Sequence, residues 1–339
     1  MKRPINSGAI TMTIWVAVSC LPLGRADAQV APMSPPESKF VHIDGAQLHY
    51  LDFGGEGVPI LFTGGSRAAD TWVEFAARFT DQHRVVALTD RGVPPSEGEG
   101  GGYVRRAHDI LAVLDSIGAD RAVLVANSNP ASILVYVAEH HPERVAGLVF
   151  LAPDSEAGFE SVTDPSRAMQ MVERALLSTQ GRDPDEAGQW EEEDLYRPRY
   201  LAADGPTISI PALTFVNRNG TRGLEHSYYP LQVAQMVAAG SLAVPDSLSR
   251  AYFERLATEP DLQREVRASW DSIFATAIIA NEQAFFQAFG QHLRIVRLEV
   301  PEMGGAPVVT GYEYRDAPDL IEGEIRRFLA EVRAREAPE

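Results

Sequence analysis

The sequence predicts an α/β fold, a doubly wound, mostly parallel sheet carrying a helical cap. Three observations predict it. Short apolar runs alternate with helix-spaced segments, the pattern of parallel βαβ units. The runs are continuously apolar, as strands covered on both faces must be. After Leu151 the alternation stops, and a charged, interrupted helical stretch precedes the next strand.

Residues 40–43 and 47–51 flank Asp44-Gly45, a hairpin signal between alternating segments. Residues 58–62 are a continuous apolar run ending in Thr63-Gly64-Gly65, a buried strand leading into a glycine turn. A helix follows from Thr71-Trp72 through Phe79, then a strand at 84–88. Residues 103–117 have helical spacing through Ile110, Leu111 and Leu114; 122–125 read as a strand, 131–140 as a helix and 145–151 as a strand. Residues 155–207 form the cap. Its acidic run Glu191-Glu192-Glu193-Asp194 reads as a solvated face, because adjacent carboxylates on a helix diverge. Strand character returns at 208–216, and 221–290 are mostly helical. A last strand spans 293–300 and an amphipathic helix 318–332. Helix-spaced apolar residues in the cap (Met169, Met171, Leu176, Leu177) and in the later insertion (Leu231, Val233, Met236, Val237) either roof an apolar cavity or pack on each other.

The first 28 residues stand apart from the fold. Lys2 and Arg3 precede an apolar stretch, and Ala26-Asp27-Ala28 supplies small residues at the −3 and −1 positions of a cleavage site. That is a secretory signal peptide with cleavage before Gln29, implying a secreted or periplasmic protein. The apolar stretch is shorter than the ~20 residues of a spanning helix. Residues 29–39, with Pro32, Pro35 and Pro36, read as a flexible leader, and one domain occupies 40–335. Cys20 is the only cysteine and leaves with the signal, so no disulfide or thiolate chemistry is expected afterwards.

The net charge is −17. Removing Lys2, Arg3, Arg25 and Asp27 takes away a net +2, leaving −19. Such a surface argues against nucleic acid and anionic membrane as partners and leaves a small-molecule substrate or ligand. The glycine-rich residues 97–102 form a turn rather than a phosphate-binding fingerprint. No cofactor and no metal are expected.

The informative segment is Val123-Leu124-Val125-Ala126-Asn127-Ser128-Asn129-Pro130-Ala131, where a buried strand turns into a helix. A serine there is presented above the carboxyl ends of the strands. Ala126 keeps the strand close to the helix, and Pro130 suits a first helical turn, where an N–H is not needed. The N–H of Asn129 is placed to face an oxyanion, and Gly65, in the glycine turn, is the second candidate donor.

These features resemble the α/β-hydrolases, and within them secreted members similar to proline iminopeptidases and lipase-like esterases. The resemblance runs from about Val41 to Leu329. It rests on Leu51-Asp52-Phe53-Gly54-Gly55, Thr89-Asp90-Arg91-Gly92 with Ser96, and Asp109-Ile110 with Val113-Leu114-Asp115. It also rests on His141-Pro142-Glu143-Arg144-Val145 and Ile210-Pro211-Ala212-Leu213. It implies Ser128 as the nucleophile. A serine at that position sets the chain apart from the dehalogenase and epoxide-hydrolase branches, whose nucleophile is an aspartate.

The chain also departs from the family. The Gly-x-Ser-x-Gly pattern has lost both glycines around Ser128. Where the acid normally follows residues 213–216 stands Asn217-Arg218-Asn219-Gly220, and the position of the usual histidine falls on Gly311 or Tyr312. No histidine occurs after His292. A serine without a base is a poor nucleophile. His226 is the candidate base, against a reading as a surface histidine, and Asp154 is the candidate acid, against a reading as a helix cap. His108, His140 and His141 read as surface or structural. Tyr312 and Tyr314 are candidates to bond a ligand in the pocket, or else to pack. Two functional readings stay open. One is a secreted serine hydrolase of small esters, amides or lactones with a non-standard triad. The other is a degenerate, non-hydrolytic member that binds a small apolar ligand.

Overall fold

The computed structural model describes residues 35–64, 68–98, 102–127, 130–151, 207–217, 229–273, 279–298, 302–303, 306–307 and 313–336. Eight strands form one sheet: β1 (Glu37–Ile43), β2 (Ala46–Gly54), β3 (Ile60–Gly64), β4 (Val85–Leu88), β5 (Ala122–Asn127), β6 (Val145–Leu151), β7 (Ala212–Asn217) and β8 (Leu293–Leu298). Their order across the sheet is β1-β2-β4-β3-β5-β6-β7-β8. The six from β4 to β8 run parallel, and β1 and β2 form an antiparallel edge. The expected doubly wound, mostly parallel sheet is therefore present.

Among the described residues the helices are α1 (Val73–Ala76), α2 (Tyr103–Ser116), α3 (Pro130–His140), α4 (Tyr229–Ala238), α5 (Ser247–Thr258), α6 (Pro260–Ile273), α7 (Ile279–Phe289), α8 (Glu313–Asp316) and α9 (Pro318–Glu336). The side chains of each central strand divide between two cores, as the period of two requires. On β5, Val123 and Val125 join Phe75 and Phe79 beside α1 and Ile321, Ile325 and Phe328 of α9. Leu124 and Ala126 face the opposite way, to Ile110 and Leu114 of α2 and Ile133 and Leu134 of α3. Gly147 of β6 allows α9 to approach closely. A Cβ there would lie 3.0 Å from the Phe328 ring and 3.1 Å from Val332.

Several boundaries differ from the sequence reading. β1 begins at Glu37, so the sheet starts three residues ahead of Phe40. The segment expected as one helix through Phe79 is instead a 3₁₀ turn at Ala69–Trp72, then α1, then a second 3₁₀ turn at Ala77–Phe79. The hairpin turn is as expected, with Asp44 and Gly45 both in the left-handed region (φ 48° and 73°), where asparagine-like residues and glycine are tolerated.

The insertion holds a separate small core. Leu231, Ala234 and Val237 of α4 pack with Val244, with Phe253 and Leu256 of α5 and with Val266 of α6. Met236, counted on the apolar stripe, is instead 45% exposed. For Leu231 and Val237, then, the stripe packs within its own segment. The cap residues 155–206 lie outside the described residues.

The motif around Asp52 is structural. Its buried carboxylate accepts from Lys39 Nζ and Arg84 Nη2, both at 2.7 Å, and from the Gly54 N–H at 2.9 Å. Burial alone would raise its pKa, but these donors hold it below the ordinary value. A depressed carboxylate pKa adds stability above the unfolded-state value, about pH 4, and loses it as pH falls through the folded-state value. Asp52→Asn should therefore cost about 1–3 kcal/mol at neutral pH. Thermal unfolding of both proteins at pH 7 and pH 3 checks this, and the deficit should shrink at the lower pH.

Candidate functional site

In a doubly wound sheet the carboxyl ends of the parallel strands are where a ligand meets converging loops and helix N-termini. Here those ends stand side by side: Gly64 of β3, Asn127 of β5, Leu151 of β6 and Asn217 of β7. Gly64 lies opposite Asn127 in the parallel register and has φ 86°, a conformation that favours glycine. Asn127 is buried, and its Nδ2 donates to the Leu151 carbonyl at 3.1 Å, tying the ends of β5 and β6 together.

β5 ends at Asn127 and α3 begins at Pro130, so Ser128 and Asn129 are the whole interval between strand and helix. Ser128, Asn129, Gly65, Asp154, His226 and Tyr312 all lie outside the described residues. What is fixed is the elements that deliver them. Gly65 directly follows Gly64, Asp154 follows the end of β6, and His226 falls between the end of β7 and the start of α4.

Seven of the eight histidines are described. His49 is buried on β2, with Nδ1 2.9 Å from Thr89 Oγ1 and Nε2 2.9 Å from Ser38 Oγ. Burial lowers its pKa, with Asp70 opposing, so the ring is held neutral. β2 is three strands from β5, about 14 Å at the usual strand spacing. His42, on β1, is one strand farther. His83 precedes β4 at its amino end, where Nδ1–H donates to the Val58 carbonyl at 2.9 Å. His140 bonds the Tyr136 carbonyl at the end of α3, and His141 precedes β6, its ring 6.3 Å from that of His108. His292 sits in the turn before β8. Hydrogen bonding to a serine at the end of β5 needs about 3 Å, and among the described histidines none has a place in the sheet that meets this.

Tyr314 is resolved as a core residue. It is buried, stacks on Trp72 with centroids 4.4 Å apart and lies 5.6 Å from Phe75.

The residues that carried the family resemblance fasten the loop between β4 and α2. Arg91 and Asp109 form a buried, two-point pair at 3.1 and 2.5 Å, with side chains 3% and 2% exposed. Burial raises the Asp109 pKa, and the Arg91 hydrogen bonds oppose it. Arg106 pairs with Asp90 at 2.5 Å. Ser96 Oγ donates to the Thr89 carbonyl and accepts the His49 N–H, both at 2.8 Å. Thr89 Oγ1 accepts the Ala69 N–H at 3.0 Å, which ties the far end of the segment entered at Gly65 to the end of β4. The sequence signal was present as two opposite charges, Arg91 and Asp109, before and within a helix, but their pairing is tertiary.

Comparison with known proteins agrees with this architecture. The family described as the alpha/beta hydrolase fold matches residues 60–218. The chain is 29% identical over 161 residues to 2-heptyl-3-hydroxy-4-quinolone dioxygenase AqdC1 of Rhodococcus erythropolis, covering 43% of this chain and 58% of that protein. It is 28% identical over 136 residues to epoxide hydrolase A of Mycobacterium tuberculosis, covering 35% of this chain and 39% of that one. The chain thus spans little more than half, or less, of the length of these relatives. The solved structure of Est816, described as an N-acyl homoserine lactone degrading enzyme, superposes with a TM-score of 0.52 at 17% identity, over 86% of this chain and 100% of that one. Strand order, the β5–α3 junction and these likenesses agree: the chain has the α/β-hydrolase fold.

Proposed function

We propose that the chain is an exported serine hydrolase acting on a small ester, amide or lactone. The observation that carries this reading is that a serine opens the two-residue interval between β5 and α3, beside the end of β3. In this reading Ser128 Oγ attacks the substrate carbonyl and its proton passes to His226. The Gly65 and Asn129 N–H groups hold the oxyanion and Asp154 orients the imidazole. As the C–O or C–N bond breaks, His226 gives the proton to the leaving alcohol or amine. Water, deprotonated by His226, then cleaves the acyl-enzyme and regenerates Ser128. His226 is favoured because the seven described histidines are held elsewhere. The chain from Asn217 to His226 reaches up to ~30 Å when extended, and β7 is two strands from β5, roughly 10 Å.

A second reading is non-hydrolytic chemistry or plain binding of a small apolar ligand, with Tyr312 bonding it in the pocket. It is favoured by the missing carboxylate at 217–220 and the missing histidine after His292. The dioxygenase name of one relative points the same way. Hydrolysis of short p-nitrophenyl esters and lactones by the purified protein separates the two. The hydrolase reading expects turnover that Ser128→Ala abolishes. Ligand uptake without turnover in both proteins belongs to the second reading.

Export is part of the same proposal. The protein recovered outside the cytoplasm should begin at Gln29, as intact-mass measurement will show. A species retaining residues 1–28, or carrying lipid on Cys20, contradicts it.

A further inference from the structure

The amino edge of the sheet, opposite the ends just described, carries a cleft of about 290 Å³. Its lining is Gln82, His83, Arg326, Arg327, Leu329, Ala330 and Arg333. Three arginines of α9 around one cleft are unexpected in a chain of net charge −17. They are not equivalent. Arg326 is fully engaged: Nη1 and Nη2 donate to the two Asp81 oxygens at 3.2 and 3.0 Å, Nε donates to Glu322 at 2.8 Å, and Nη2 also reaches the Arg78 carbonyl. It clamps α9 to the segment before β4.

Arg327 and Arg333 differ from it. Arg327 uses one nitrogen, Nη2, on Glu324, and its side chain is 60% exposed. Arg333 pairs with no carboxylate among the described residues. Its Nη2 donates to His83 Nε2 at 3.2 Å and lies 3.5 Å from Gln82 Oε1. His83 is neutral there. Burial lowers its pKa, the Val58 carbonyl opposes this, and Arg333 and Arg326 lower it further. Its Nδ1–H already donates to that carbonyl, so Nε2 is the acceptor. The histidine therefore satisfies an N–H of Arg333 without cancelling its charge. The floor beside these groups is apolar, with Leu329 buried, and such a wall strengthens the field of a charge above it.

We propose that this cleft binds a small oxyanion, a phosphate or carboxylate group, between the guanidinium forks of Arg327 and Arg333. Among the described residues their Nε and Nη1 groups make no hydrogen bond, which leaves each guanidinium, besides its charge, N–H donors for an anion's oxygens. Free anion rather than membrane phosphate is the occupant, because a chain of net charge −17 is repelled by an anionic bilayer.

The test is calorimetric titration of the purified full chain with inorganic phosphate at pH 7, with sodium chloride holding ionic strength constant. The expected result is saturable binding with a dissociation constant on the order of a millimolar. Arg333→Met and Arg327→Met, both at exposed positions of α9, should each weaken it by about tenfold or more. Arg255→Met, which breaks an exposed pair elsewhere, should leave it unchanged. No saturable binding, or binding indifferent to both cleft variants, overturns the proposal. Co-sedimentation with phosphatidic acid vesicles should match that with neutral phosphatidylcholine vesicles. Sedimentation with the acidic vesicles and no phosphate binding would likewise overturn it.

Discussion

His226→Ala should lower turnover of a short ester by ~10²- to 10⁴-fold while changing KM little, because general-base assistance acts on the transition state and not on ground-state binding. Wild-type activity should fall on acidification through about pH 6–7, as a histidine base takes up its proton, and the variant should lose that limb. Ser128→Ala should reduce the rate at least as far, since the nucleophile and its base act as one unit and the double variant should be little slower than either single one. Steady-state kinetics from pH 5 to 9 on the four proteins check this. Ordinary turnover with the acidic limb intact in His226→Ala would show that another group serves as base.

Asp109→Ala should be strongly destabilising. Arg91 and Asp109 are both almost fully buried and joined at two points. Removing one partner strands a charge where water cannot reach it, at a cost of about 3–5 kcal/mol. Replacing both, as in Arg91→Met with Asp109→Leu, should be far milder, because desolvating the pair already consumes most of its attraction. Urea unfolding of wild type, both singles and the double decides it. Equal losses in the double and the singles would mean that the pair itself, rather than the stranded charge, carries the energy. The same pair anchors the loop between β4 and α2, so the alanine variant should also expose that loop to proteolysis before the core unfolds.

The fold was legible because its cause is local. Continuous apolar runs such as 145–151 are what two-sided burial demands, and β6 spans those residues with all seven buried. Asp44-Gly45 declared its turn through a backbone conformation few other pairs adopt. Boundaries failed where tertiary contacts decide. Glu37 to Lys39 look like leader, yet they pair with β2, and Lys39 reaches the buried Asp52. Met236 has the right spacing for a buried stripe, but the small core of the insertion is filled by Ala234 and Val237, and Met236 faces outward. For the site, the sequence located the strand-to-helix junction that bears Ser128, because a strand end and a helix start each carry local signals. The partners of a serine come from other loops, and no periodicity ties His226 or Asp154 to it. The Arg327 and Arg333 cleft was equally invisible, since it needs α9 to lie against the turn before β4.

The most direct test of the central claim is to treat the protein with a fluorophosphonate, which forms a stable adduct with an activated serine, and to map the modified peptide by mass spectrometry. The account predicts one stoichiometric adduct, on Ser128, absent from Ser128→Ala and strongly slowed in His226→Ala. An unmodified Ser128 under conditions that label an ordinary serine hydrolase, or an adduct on a different serine, would contradict it.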